Sequence, residues 1–166
     1  KNKIIKNIQL PLYGEYNINN ALAAIAVATN LNLNFLDIKK ALSKFSGVQR
    51  RLTVRWQNEY IKIIDDYAHH PTEISNVIRG LKKSRLTNKI IVIFQPHRYS
   101  RLSNLKNEFT KCFYECDHVM ISDVYAAGEK KPTNFDLRKM IEKINKNSKV
   151  KASYYLNNDD LFQFIS

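Results

Sequence analysis

The chain has 166 residues and 44% hydrophobic content, enough for one domain or one and a half around a packed core. Its 27 Lys and Arg outnumber 15 Asp and Glu for a net charge of +12, but the lysines are spread along the chain, the pattern of solvated faces and not of a nucleic-acid-binding block. The longest apolar run, Ala21 to Val27, is short of the ~20 residues of a membrane span, and Lys1 to Leu10 mixes basic with apolar residues, unlike a secretory signal.

Lys3 to Leu10 reads as a strand, and Pro11 to Asn17 as a loop containing Gly14. Ile18 to Leu31 carries apolar residues at helical spacing, with small alanines that permit close packing. Leu36 to Phe45 reads as a second helix with Asp37 in its first turn, ended by Gly47. Leu52 to Gln57 and Tyr60 to Ile64 form a hairpin pattern around Asn58-Glu59. Thr72 to Lys83 is an amphipathic helix behind Pro71, a residue suited to a first helical position. Lys89 to Phe94 is a β-branched run of the kind found in buried parallel strands. Ser100 to Tyr114 reads as a helix, His118 to Ser122 as a strand, Phe135 to Asn145 as a helix, Val150 to Tyr154 as a strand, and Asp159 to Ile165 as the start of a last helix. This alternation predicts an α/β fold with a doubly wound, mostly parallel, Rossmann-like sheet, preceded by a helical segment. The domain boundary is expected near Ser46 to Arg51, giving domains 1–47 and 48–166.

Three strands each end in a polar cluster: Asp65 to His70, Gln95 to Arg101, and Asp123 to Glu129. In a parallel sheet these loops share one edge, where open α/β sheets bind their ligands. Convergence from separate stretches of sequence is a stronger signal than any single motif. Arg98 and Arg101, three apart at a helix start with free N–H groups, suit a carboxylate or phosphate. Adjacent Asp65 and Asp66 point to opposite faces of a strand, so a shared role is not expected and one is structural. The same geometry argues against His69 and His70 as a metal pair and for a single functional imidazole. Arg50-Arg51 at the boundary is a candidate anion clamp. Cys112, Cys116 and His118 lack a second ligand pair, so the cysteines are read as core thiols on one helix face and no metal ligand is assigned.

Taken together these stretches resemble the Mur ligase family. Gly14 to Ala24 resembles the segment that contacts adenine near the end of the family's central ATPase domain. Phe45 to Arg51 resembles the junction to the C-terminal domain, and the three clusters resemble that domain's signature loops. The resemblance runs from about Leu10 to Glu129. It implies ATP-dependent ligation of L-alanine to UDP-N-acetylmuramate, in which the muramate carboxylate becomes an acyl phosphate that the amine of alanine attacks. By resemblance, Tyr16, Asn17 and Asn20 lie near adenine, Arg51 reaches the ATP phosphates and Asp66 meets the ribose. Tyr67, His69, His97, Arg98 and Arg101 surround the incoming amino acid and the reacting carboxylates, with Arg51, His69, Arg98 and Arg101 as the catalytic set. Tyr16 departs from the usual His but keeps an aromatic ring for stacking.

The chain has no G-x-x-x-x-G-K-[ST] loop, so the phosphate cradle, the Mg²⁺ ligands and a UDP-binding domain are expected elsewhere, and the chain is read as a fragment inactive in ligation alone. ATP and Mg²⁺ are the implied cofactors, in a cytoplasmic enzyme with no nucleic-acid or membrane partner and an open oligomeric state, homo-oligomers included. Two other readings stand beside it. One is a related ligase that recycles a tripeptide onto UDP-N-acetylmuramate, from which Tyr67 and Gln95-Pro96-His97-Arg98 distinguish this chain. The other is a noncatalytic nucleotide- or nucleic-acid-binding domain.

Overall fold

The computed structural model describes residues 7–12, 14–84, 88–147, 149–157 and 159–160. The chain divides into two compact units, Lys1–Tyr67 and Ala68–Ser166.

The first unit opens with α1 (Glu15–Asn30) and α2 (Phe35–Lys44). Gly14 precedes α1 at φ 91°, and a Cβ there would lie 2.7 Å from the Tyr16 ring, so both backbone and space call for glycine. The Asn34 side chain caps α2 by accepting from the Leu36 amide, and Asp37 and Lys44 match the ends of the helix dipole. A hairpin follows, with β1 (Thr53–Gln57) antiparallel to β2 (Lys62–Asp65) and a bulge between Val54 and Trp56. The second strand starts two residues later than expected. Asn58 builds a longer turn, its side chain accepting from the amides of Tyr60 and Ile61 while its own amide donates to the Ile61 carbonyl. The strand expected over Lys3 to Leu10 is not formed at 7–10, and 1–6 lie outside the described residues.

The second unit starts with α3 (Pro71–Lys83). His70 and Glu73 close a capping box, and Pro71 takes the first turn. Strands β3 (Ile91–Phe94), β4 (His118–Ile121) and β5 (Lys151–Tyr154) form a parallel sheet in that order. Between them run α4 (Tyr99–Asn104), α5 (Lys106–Phe109) and α6 (Leu137–Asn147). The register pairs Val92 with Val119 and Phe94 with Ile121, and Val119 and Ile121 in turn with Ala152 and Tyr154. Paired residues in a parallel ladder face the same way. These six side chains form one apolar face, and all six belong to a core cluster with Ile74, Ile78, Phe109 and Phe113.

Three expectations need correction. The single helix expected from Ser100 to Tyr114 is two short helices broken at Leu105 (φ −114°, ψ 30°), followed by turns. Cys112 and Cys116 therefore do not share a helix face, yet both are buried, with thiols donating to the carbonyls of Phe109 and His118. Burial pushes both thiols up, Cys116 to about 12, as befits inert core groups. Finally, β3 is not buried on both faces. It is an edge of the described sheet, and Ile91 and Ile93 stand 39% and 49% exposed opposite Val92 and Phe94. Of the last helix expected from Asp159, residues 159–160 are helical and 161–166 lie outside the described residues.

Phe113, fully buried, and its neighbour Tyr114, 46% exposed, separate core from surface on adjacent residues. Urea unfolding should show Phe113→Ala costing about 3–5 kcal/mol, and Tyr114→Ala about 1 kcal/mol or less. Similar losses for the two would contradict this packing.

Candidate functional site

In the second unit, pairing between β3 and β4 does not stop where the strands do. The Tyr125 amide donates to the Pro96 carbonyl at 2.8 Å, and the Arg98 amide donates back to the Tyr125 carbonyl at 2.9 Å. His97 and Tyr125 thus form a parallel bridge beyond the strand ends. Their rings follow, with centroids 5.2 Å apart. At Arg98 the chain turns sharply into α4 at φ 71°, ψ 131°, a region that costs an L-residue on the order of 1–3 kcal/mol.

Side chains converge on this turn. Arg101 Nη1 lies 3.3 Å from the His97 carbonyl and 3.4 Å from His97 Nδ1. The His69 ring is 6.1 Å from that of His97. The loop after β2 delivers His69, while Glu73 holds it by accepting from the amides of His69 and His70 at 3.0 and 3.2 Å. The two histidines now separate. His70 Nδ1 accepts from the Thr72 amide and caps α3, whereas His69 faces His97. Burial, followed by the nearby Arg101, Arg98 and His69, pulls His97 below its ordinary value, with Glu129 opposing. His97 is therefore neutral at pH 7.

The helix start itself differs from expectation. The donors of Ser100 are not free for a ligand: the Glu129 carboxylate accepts from its amide at 2.9 Å and from its hydroxyl at 2.5 Å. Those two bonds hold the Glu129 carboxyl below its usual range. Glu129 stands in the third cluster of the sequence, but no spacing rule announces that its carboxylate reaches back 29 residues to Ser100.

The first unit holds the other candidates. Arg51, Asn17 and Leu52 line a cavity of about 280 Å³, with Asn20 exposed on α1 outside its lining. Near it, the buried Tyr16 hydroxyl has no partner in hydrogen-bond geometry among the described residues, and burial pushes it up to about 12, with Asp66 adding to the shift and Asn17 and Arg51 opposing it. The basic pair divides. Arg50, at φ 58°, stacks its guanidinium 4.6 Å over the Tyr67 ring and reaches to 3.8 Å from Asp65, leaving Arg51 at the cavity. The aspartates divide too. Asp65 pairs with Arg55 across the hairpin at 2.8 Å, while Asp66 accepts from the Leu52 amide at 2.9 Å, securing another positive-φ residue.

Residues 50–166 match the family model described as Mur ligase, glutamate ligase domain. The chain is 43% identical over 165 residues to a UDP-N-acetylmuramate–L-alanine ligase of Pelagibacter ubique, covering 99% of this chain and 36% of that protein. It is similar to the solved structure of a UDP-N-acetylmuramate–alanine ligase from Thermotoga maritima, with TM-score 0.75, 31% identity, and coverage of 95% of this chain and 33% of that one. A murein peptide ligase from Psychrobacter arcticus is similar at TM-score 0.62 and 26% identity, covering 95% of this chain and 32% of that one. The chain thus spans about a third of the length of these relatives.

The pH behaviour of His97 follows from its surroundings. A group whose folded value lies below its unfolded one contributes stability above the unfolded value, ~6.5, that is lost as pH falls through the folded value. An NMR titration should place the His97 midpoint below 6.5, and His97→Gln should flatten part of the loss of stability between neutral and acid pH. A midpoint at or above 6.5 would refute the arrangement.

Proposed function

The chain belongs to the Mur ligase family, and on that premise we propose that the gene product carrying it joins L-alanine to UDP-N-acetylmuramate at the expense of ATP. The observation that carries this reading is the cluster of His69, His97 and Arg101 around the Arg98 turn at the strand ends of the second unit. Relatives at 43% and 31% identity bear the name of that alanine ligase, which supports the choice of amino acid.

In this reading Arg98 and Arg101 bind the carboxylate of alanine and offset negative charge on the reacting groups. Fixed guanidinium donors do this without reorganising as charge develops. His97, neutral at working pH, orients the guanidinium of Arg101, and the His69 imidazole borders the amino acid. The amine of alanine attacks the activated muramate carbonyl, the C–N bond forms, and phosphate leaves.

The first unit suits a nucleoside triphosphate. Tyr16, whose buried hydroxyl has no partner among the described residues, and the cavity lined by Asn17 and Arg51 supply an aromatic ring, an amide and a cation, the set of groups that a purine and its phosphates need. Tyr16, Asn17 and Asn20 are assigned to the base, Asp66 to the ribose and Arg51 to the phosphates. ATP supplies the phosphoryl group, and Mg²⁺ neutralises phosphate charge during its transfer. Among the described residues no three His, Cys, Asp or Glu side chains gather as metal ligands, so no step here is assigned to a metal held by this chain. A cytoplasmic site of action is part of the proposal, and no described helix is long and apolar enough to cross a membrane.

Phosphate release by the gene product, with ATP, Mg²⁺ and UDP-N-acetylmuramate, tests this directly. Release is expected with L-alanine, and Arg101→Ala should lower kcat/KM for L-alanine by about a hundredfold. Release with the tripeptide alone would reassign the chain to the recycling ligase, and silence with both amine donors would remove the ligase reading.

A further inference from the structure

Glu129 has no part in the reaction as proposed above, yet it is tied to the residues that do. Its carboxylate takes both donors of Ser100, one of the two residues between Arg98 and Arg101 at the start of α4. The same loop also holds the other side of the turn, through the Tyr125 carbonyl on the Arg98 amide. The loop between these two grips is short and closed on itself. The Glu129 amide donates to the Ala126 carbonyl at 3.0 Å, and Ala127 and Gly128 both adopt positive φ, 49° and 86°. Among the described residues, no atom beyond Gly128 and its chain neighbours lies within 4 Å of a Cβ built there, so glycine serves the backbone turn and not a close approach. A residue at φ 71° persists only where its surroundings over-determine it. At Arg98 that constraint comes from one loop, gripping the residue itself and the residue two places on.

We propose that Glu129 is a positioning residue: its carboxylate, bound to Ser100, fixes the Arg98–Arg101 turn and so sets the affinity for the carboxylate of the incoming amino acid. This rests on the ligase reading. Glu129 does not touch the amino acid and acts through the two arginines. Its negative charge also acts on His97, where Arg98, Arg101 and His69 press the other way.

The test uses Glu129→Gln and Glu129→Ala in the full gene product. Gln keeps one acceptor oxygen for Ser100 and loses the charge, and Ala loses both. The expected result is a KM for L-alanine raised about tenfold in Glu129→Ala and less in Glu129→Gln, with the KM for ATP unchanged. In both variants the NMR midpoint of His97 should fall below that of the parent, a change that loss of fold alone does not produce in this direction. An unchanged KM for L-alanine overturns the proposal, and so does a rise of all substrate KM values together with a falling Tm. Should Glu129→Ala fail to fold, Glu129→Gln decides alone. A parent that forms no amide takes down the ligase reading and this proposal with it, while the His97 midpoint still reports whether the Glu129 contact exists.

Discussion

Two backbone hydrogen bonds, Tyr125 to Pro96 and Arg98 to Tyr125, carry the ladder of β3 and β4 past the end of the sheet. Without them the segments after both strands would lose their register, leaving the grip of Glu129 on Ser100 to hold them together. With them, His97 and Tyr125 are in register, Arg98 takes its unfavourable turn, and α4 starts where Arg101 can reach back to His97. The sheet beneath explains why the bridge holds. Val119 and Ile121 on the central strand are fully buried, and Phe94 packs against Phe109 and Phe113 with ring centroids 5.9 and 5.4 Å apart. A rigid floor makes a strained rim affordable, the usual arrangement where groups must be held ready for a ligand.

The first polar cluster mixes acids with imidazoles, the second carries bases and no acid, the third acids and no base, and the fold pairs them off. Asp65 answers Arg55, Asp66 the Leu52 amide, Glu73 the amides of His69 and His70, and Glu129 the donors of Ser100. Three of these four carboxylates thus hold backbone in place, Asp66 at Leu52, itself of positive φ, and Glu129 at Ser100, two residues after Arg98 of positive φ. The cations Arg51, Arg98 and Arg101 stand at a cavity or a turn instead. A surface that spends its acids on internal structure and presents guanidinium groups at its strand ends is matched to anionic ligands.

Much of this was legible in the residues. The helix–strand alternation, the hairpin and the convergence of the second and third loops follow from hydrophobic period and from the rule that ligands gather at the carboxyl ends of parallel strands. The first cluster, expected at the same sheet edge, instead follows β2, which pairs antiparallel with β1 outside that sheet. The cap at His70 had a local signal as well, Pro71 at the first helical position and Glu73 three residues on, although His in place of Ser or Thr disguised it. What escaped were consequences of tertiary structure. Helical spacing runs through Leu105, and nothing in it foretells the break there. The apolar run of β3 reads as buried on both faces, but edge position leaves Ile91 and Ile93 exposed. The reach of Glu129 to Ser100 depends on two loops brought together by strand pairing, which no local pattern encodes.

The central claim is that the strand-end turn is an amino-acid carboxylate site built before the ligand arrives. A crystal structure of the gene product with L-alanine bound tests it most directly. The account predicts the alanine carboxylate at about 3 Å from the guanidinium groups of Arg98 and Arg101, with the His97–Tyr125 bridge intact. Alanine bound away from both arginines, or a bridge that opens to admit it, would contradict the account.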